Sequence, residues 1–145
     1  MTPNLRIFAA TALVLALNVL WLWVKSGFVR AGTKTAMNKE DTETVARGTT
    51  LVEADPPEVR RVLRAHRNAV DNIVPFLVVA LVFAYVAGSP VAVASTFGLF
   101  VLARLVHSFA YLRAIQPLRT LSFVAGLGVT LVLIAWNTVL LVRGA

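Results

Sequence analysis

Hydrophobic and polar positions in this chain fall into blocks. Apolar runs cover residues 7–24, 69–87, 91–112 and 118–142. Each is close to the roughly 20 residues a helix needs to cross a bilayer. The runs are continuous and lack the period of two that a transmembrane barrel strand would show. The pattern predicts an all-α integral membrane protein, a four-helix bundle occupying residues 1–145 as one domain. The first run has one interior polar residue, Asn18, and ends at Trp21 and Trp23, where aromatic belts form. It is longer than a signal-peptide core and has no small-x-small cleavage site, so it is expected to stay as a span. Gly88-Ser89-Pro90 reads as a tight turn and Gln116-Pro117 as the next break. Residues 25–68 read as one long polar loop containing Pro56-Pro57. Pro75 is expected to kink the second span one turn beyond Asp71.

Composition sharpens this reading. The chain is 58% hydrophobic and 14% charged, against about 25% charged residues in soluble domains. Such a chain in water would expose large apolar patches and aggregate. It contains no cysteine, which excludes disulfides, thiolate metal sites and a protein thiol nucleophile. Any thiol chemistry must therefore use a thiol brought by a small molecule. Two histidines and a single acid near the spans make a metal centre improbable, and none is assigned.

Charge sets the topology. Net charge is +7, and all seven acids lie between Glu40 and Asp71. The basic residues are scattered without interleaved aromatics, which argues against nucleic acid as a partner. In a bilayer protein they report headgroup contact and orientation. Nine basic residues lie between Lys25 and Arg67, none lies in the turn at Gly88, and Arg113 and Arg119 flank the third connection. The first and third connections are therefore expected on the cytoplasmic side and both termini on the other. Compact loops and Ala/Val/Leu-rich spans suggest a bacterial inner membrane.

Charges within or beside a membrane helix cost about 2.5–3.5 kcal/mol each on insertion scales, so they are functional candidates. Arg64, Arg67, Asn68 and Asp71 stand at offsets 0, 3, 4 and 7 and share one helical face. Asp71 is placed to pair with Arg67 at i,i+4. Arg104, His107 and Tyr111 form a second stripe at offsets 0, 3 and 7. Arg104 lies too deep to reach water and needs a carboxylate, a helix end or an anionic ligand. A purely structural Arg104–Asp71 pair is the simplest alternative. Arg119, Thr120, Ser122 and Phe123 open the fourth span near the depth of Tyr111. Gly126-x-Gly128 lies inside that span, where close helix packing is its natural role. No phosphate-cradling glycine loop and no nucleophile elbow is present. The three clusters outline a cationic pocket suited to a small anion handled beside lipid.

The run Arg64-Ala65-His66-Arg67-Asn68-Ala69-Val70-Asp71-Asn72-Ile73-Val74-Pro75-Phe76 resembles the signature of the MAPEG family, membrane proteins of eicosanoid and glutathione metabolism. The segments from Arg104 to Leu112 and from Gln116 to Phe123 are similar to its second and third motifs. The likeness is nearest to the microsomal glutathione transferase and microsomal prostaglandin E synthase branch. It implies a homotrimer with a glutathione site between neighbouring subunits. By motif position, Arg30, Arg67, Asn68, Asp71, His107 and Tyr111 would bind glutathione, and Arg119 with nearby Thr120 would stabilise its thiolate. Arg64 and Arg104 would support those contacts, and Asn38 and Asp41 stand in the first loop where relatives have the same residue types. Two positions depart from the pattern. Asp71 stands where Glu is usual, and Phe123 stands where some members have Tyr, which argues against a specialised prostaglandin synthase. The implied activity is a membrane glutathione transferase, with possible glutathione-dependent peroxidase chemistry, acting on lipophilic electrophiles or lipid hydroperoxides. A non-catalytic lipid-binding scaffold of the same family and a small transporter relaying charge between Arg104 and Asp71 are the competing readings.

Overall fold

The computed structural model describes residues 1–144. Helix α1 (Pro3–Thr33) is followed by strand β1 (Thr35–Ala36), a short helix α2 (Lys39–Glu43) and strand β2 (Thr50–Leu51). Three further helices complete the chain: α3 (Pro57–Val86), α4 (Pro90–Leu112) and α5 (Gln116–Arg143). Helices α1, α3, α4 and α5 are each long and apolar enough to cross a membrane. The protein is an all-α, multi-pass membrane bundle, as the hydropathy blocks predict.

Each of the long helices has proline in its first turn, where the missing N–H costs nothing because that donor has no intrahelical partner. Thr2 and Ser89 accept from Leu5 N and Ala92 N and so cap α1 and α4. The helices outrun the apolar blocks. The 31 residues of α1 span about 46 Å, well beyond a hydrocarbon core of about 30 Å. Helix α3 likewise begins at Pro57, twelve residues ahead of its apolar run. The expected loop of residues 25–68 therefore contracts to the segment between Thr33 and Pro57. The residues around Arg60 stay helical because Val59, Val62, Ala65 and Ala69 are buried at helical spacing. Helix α3 also runs through Pro75 without interruption, so the expected kink does not break it.

Polar clips tie the antiparallel helices at both ends. Asn4 Nδ2 donates to Ala87 O at 2.6 Å, and Asn137 Nδ2 donates to Val79 O at 3.0 Å. At the other end, Arg30 on α1 grips Asp55 just before α3, with Nε at 3.0 Å and Nη2 at 2.8 Å from Oδ1. The parallel β1–β2 pair closes the intervening segment through Thr50 N to Lys34 O and Val52 N to Ala36 O. Between these ends the core is aromatic. Phe76 stacks on Phe100 with centroids 3.5 Å apart, and Phe97 meets Phe76 edge-on. The outward faces carry exposed Leu, Val, Trp and Phe, the surface a lipid solvent requires.

Candidate functional site

The polar centre of the bundle is the seam between α4 and α5. Arg104 is only 1% exposed. Its Nη2 donates to Ser122 O at 3.0 Å and lies 3.5 Å from Phe123 O. The guanidinium also lies over the rings of Phe100 and Phe123, at 5.6 and 5.9 Å from their centroids. Gly126 makes this possible. A Cβ there would stand 2.7 Å from Arg104 Nη2 and 2.9 Å from Nε, closer than real contacts allow. The partner of Arg104 is thus helix backbone, and neither the Arg104–Asp71 pair nor the Arg67–Asp71 pair forms within the described residues. Arg104 Nε and Nη1 have no hydrogen-bond partner among the described residues.

One turn nearer the charged end, His107 is buried, and its Nδ1 lies 3.0 Å from Arg119 O. A carbonyl only accepts, so Nδ1 carries a proton, and when the ring is neutral Nε2 is an acceptor. Ser122 Oγ donates to Leu118 O at 2.7 Å and packs against the same imidazole. The Arg119 guanidinium rests on the Tyr111 ring, 4.8 Å from its centroid, a cation–π contact that fixes its position.

These side chains line an open hollow of about 210 Å³, formed by Asn68, His107, Tyr111, Arg119, Thr120 and Phe123. Helices α3, α4 and α5 all contribute to it. Asn68 Oδ1 and His107 Nε2 are buried without hydrogen-bond partners among the described residues, and an unmet buried acceptor costs free energy until a donor arrives. The cavity therefore offers one cation and two acceptors to a guest. All six of these residues were singled out from the sequence, and they come together here. Phe123 forms a wall, in contact with His107 at 6.2 Å between centroids.

The remaining candidates lie elsewhere in the chain. Arg64, Arg67 and Asp71 are exposed on the outward face of α3. That face continues through Val74, Val78, Leu81 and Tyr85, all exposed, at alternating steps of three and four residues. Such spacing is the seam of a helix that packs against another helix. Arg30 is held by Asp55, a partner that sequence reasoning missed; the only signal was an acid directly before Pro56-Pro57. Asn38 and Asp41 bond to each other in the segment around α2, at 3.1 Å. No group of three or more potential metal ligands occurs among the described residues.

Known proteins resemble this chain over most of its length. Residues 8–139 match the family model described as MAPEG family. Microsomal glutathione S-transferase 1 of Homo sapiens is 35% identical over 127 residues, covering 86% of this chain and 82% of that protein. The protein of the same name from Sus scrofa is 36% identical over 128 residues, with 86% and 82% covered. Prostaglandin E synthase of Macaca fascicularis is 31% identical over 123 residues, covering 84% and 80%.

Proposed function

The chain belongs to the MAPEG family, and from that premise we propose that it is a membrane glutathione transferase with glutathione-dependent peroxidase capacity. Glutathione is here a substrate that is consumed, not a resident cofactor. The observation that carries the reading is the cavity where Arg119, steadied on Tyr111, faces the unmet acceptors of Asn68 and His107. Glutathione supplies what each lacks: N–H donors for the acceptors and negative groups for the cation.

The cavity of about 210 Å³ falls below the roughly 300 Å³ at which small-molecule sites begin. A second copy packed on the outward face of α3 completes it, bringing Arg67 and Asp71 into use and Arg30 from the neighbouring α1. Arg64 and Arg104 act through these residues, the second by holding α5 against α4. Closed assembly of three copies is the arrangement implied by the family resemblance.

A cysteine-type thiol titrates near pH 8.5, and an adjacent cation favours its thiolate. Arg119, near the N-terminus of α5 where the helix dipole adds partial positive charge, supplies that field, with the Thr120 hydroxyl alongside. The thiol proton leaves to water. The thiolate then attacks an electrophilic carbon and forms a C–S bond, while a leaving group departs with its bonding pair or, at an activated double bond, the π pair shifts to the neighbouring atom and takes up a proton from water. With a lipid hydroperoxide it attacks the terminal oxygen, the O–O bond breaks, the departing alkoxide takes a proton from water to become the alcohol, and a second glutathione thiol displaces water from the sulfenic acid to give the disulfide. The electrophile arrives by partitioning into the bilayer. The Lys/Arg-rich end of the bundle carries the site, which the positive-inside rule turns toward the cytoplasm, in a bacterial inner membrane.

Arg119→Ala is the decisive test. Losing one preorganised charge-stabilising group should cut turnover about 10²–10³-fold, while glutathione affinity, read by calorimetry, changes far less. The thiolate absorbance that appears on adding glutathione to the purified protein should vanish in the variant. Equal losses in turnover and affinity would remove the thiolate role.

A further inference from the structure

A second hollow lies on the other side of α4 from the glutathione cavity. It is a groove of about 650 Å³ between α1 and α4, walled by Leu17, Trp21, Leu105 and Phe109. Asn18 and Ser108, 6% and 4% exposed, sit on its inner side. Asn18 Nδ2 has no hydrogen-bond partner among the described residues. From Val14 to Lys25 the groove follows twelve residues of α1, about 16 Å along the helix axis.

Its charged end is built rather than incidental. Lys25 Nζ sits 5.5 Å from the Trp21 centroid, and the Arg113 guanidinium 5.7 Å from that of Phe109. Both rings line the groove, so each cation is parked on one of its walls. Past Lys25 and Leu112 the groove continues into a hollow of about 400 Å³ that adds Arg61 and one acid, Glu58. The mouth thus gathers three cations against a single carboxylate. Lys25 and Arg30 lie five residues apart on α1, a rotation of about 140°. The groove therefore opens on a different flank of α1 from the one that carries Arg30.

We propose that this groove is a binding site for one anionic phospholipid per chain, drawn from the leaflet at the charged end of the bundle. The phosphate sits among Lys25, Arg61 and Arg113. One acyl chain runs down the apolar wall past Leu17 and Leu105. The ester region lies near Asn18, whose amide has hydrogen-bonding capacity to spare. A second copy of the chain suits this flank less well. The helix-pairing seam is on α3, and three cations against one acid call for an anionic occupant.

The test is native mass spectrometry of the detergent-solubilised protein titrated with dioleoyl phosphatidylglycerol, dioleoyl phosphatidylcholine or glycerol phosphate without chains. A surface cation is worth about fivefold in partitioning onto an anionic lipid. The wild type should therefore retain one phosphatidylglycerol per chain, preferred over phosphatidylcholine by about tenfold or more. The Lys25→Gln/Arg113→Gln double variant should lose most of that preference. Leu105→Trp, which fills the groove and leaves every charge in place, should lose the lipid with unchanged helix content, so a folding failure of the double variant would not decide the matter. Equal retention of the two lipids would overturn the proposal. So would equal affinity for the chainless headgroup, an unaltered preference in the double variant, or a change in subunit number in place of lipid loss.

Discussion

The α4 stripe Arg104–His107–Tyr111 and the α3 stripe Arg64–Arg67–Asp71 share the spacing 0, 3, 7, yet one turns inward and the other outward. Arg104 and His107 are buried against α5, bonded to Ser122 O and Arg119 O. Arg64, Arg67 and Asp71 are exposed and make no ion pair among the described residues. Periodicity states only that residues share a face. What that face meets depends on the neighbouring helix. Helix α5 offers backbone carbonyls and, at Gly126, the space to reach them. The outer face of α3 has no neighbour among the described residues. The inner stripe is therefore part of the fold, and the outer one waits for a partner.

The largest effect should come from the inner stripe. Arg104→Ala removes a long buried side chain and leaves a cavity, at a cost of about 3 kcal/mol in detergent unfolding experiments. Arg104→Met keeps the length and drops the charge. It should cost less than about 1.5 kcal/mol, because a buried cation with no carboxylate partner adds little net stability. Methionine as damaging as alanine would show that the charge itself holds α4 to α5. Gly126→Ala tests the same seam from the other side. Its Cβ would overlap the guanidinium, and overpacking of this kind costs about 1–3 kcal/mol. Most of that loss should disappear in the Arg104→Met background, where the terminal atoms differ. Additive losses would mean that Gly126 matters for some other contact.

These two residues also show how far the sequence could be read. Arg104 is conspicuous as a charge deep in an apolar run, and the requirement for a partner follows from physics alone. The identity of that partner does not, because carbonyls, a carboxylate or a ligand all satisfy a guanidinium. The nearest acid in sequence reasoning, Asp71, lies on the wrong face of α3. The convergence of Asn68, His107, Tyr111 and Arg119 was legible because each lies toward the Lys/Arg-rich end of its apolar run. The extent of α1 and α3 was not. Hydropathy reports where the bilayer solvates a helix, while the turns beyond it, around Arg30 and Arg60, are held by local packing and by Asp55.

The outer stripe can be broken independently. Val78 is 63% exposed on α3, two turns beyond Asp71 on the same seam. Val78→Trp is tolerated where the residue faces lipid, but it overpacks a helix–helix interface by about 1–3 kcal/mol. Native mass spectrometry should therefore show a shift toward single chains, and glutathione affinity should fall with it. Thermal unfolding of the isolated chain should be unaffected. An intact assembly carrying tryptophan at this position would mean that the α3 face looks into lipid and that the cavity is completed in another way.

The smallest effect is expected where the two regions are linked, at Arg30 and Asp55. The pair is bidentate but partly open to solvent, with side chains 38% and 10% exposed, so Asp55→Asn should cost about 0.5–1 kcal/mol of stability. Its value lies in separating two roles of Arg30. The Nε and Nη2 edge is occupied by Asp55, while Nη1 makes no hydrogen bond among the described residues and can face a guest in an adjoining subunit. If Arg30 both pins the segment before α3 and touches glutathione, Arg30→Gln raises the glutathione KM several-fold. Asp55→Asn, which frees the guanidinium without removing it, raises KM less while loosening the segment around α2 to limited proteolysis. Identical KM changes in the two variants would reduce Arg30 to an anchor for that segment, and the outer stripe of α3 would then have to hold the guest without help from α1.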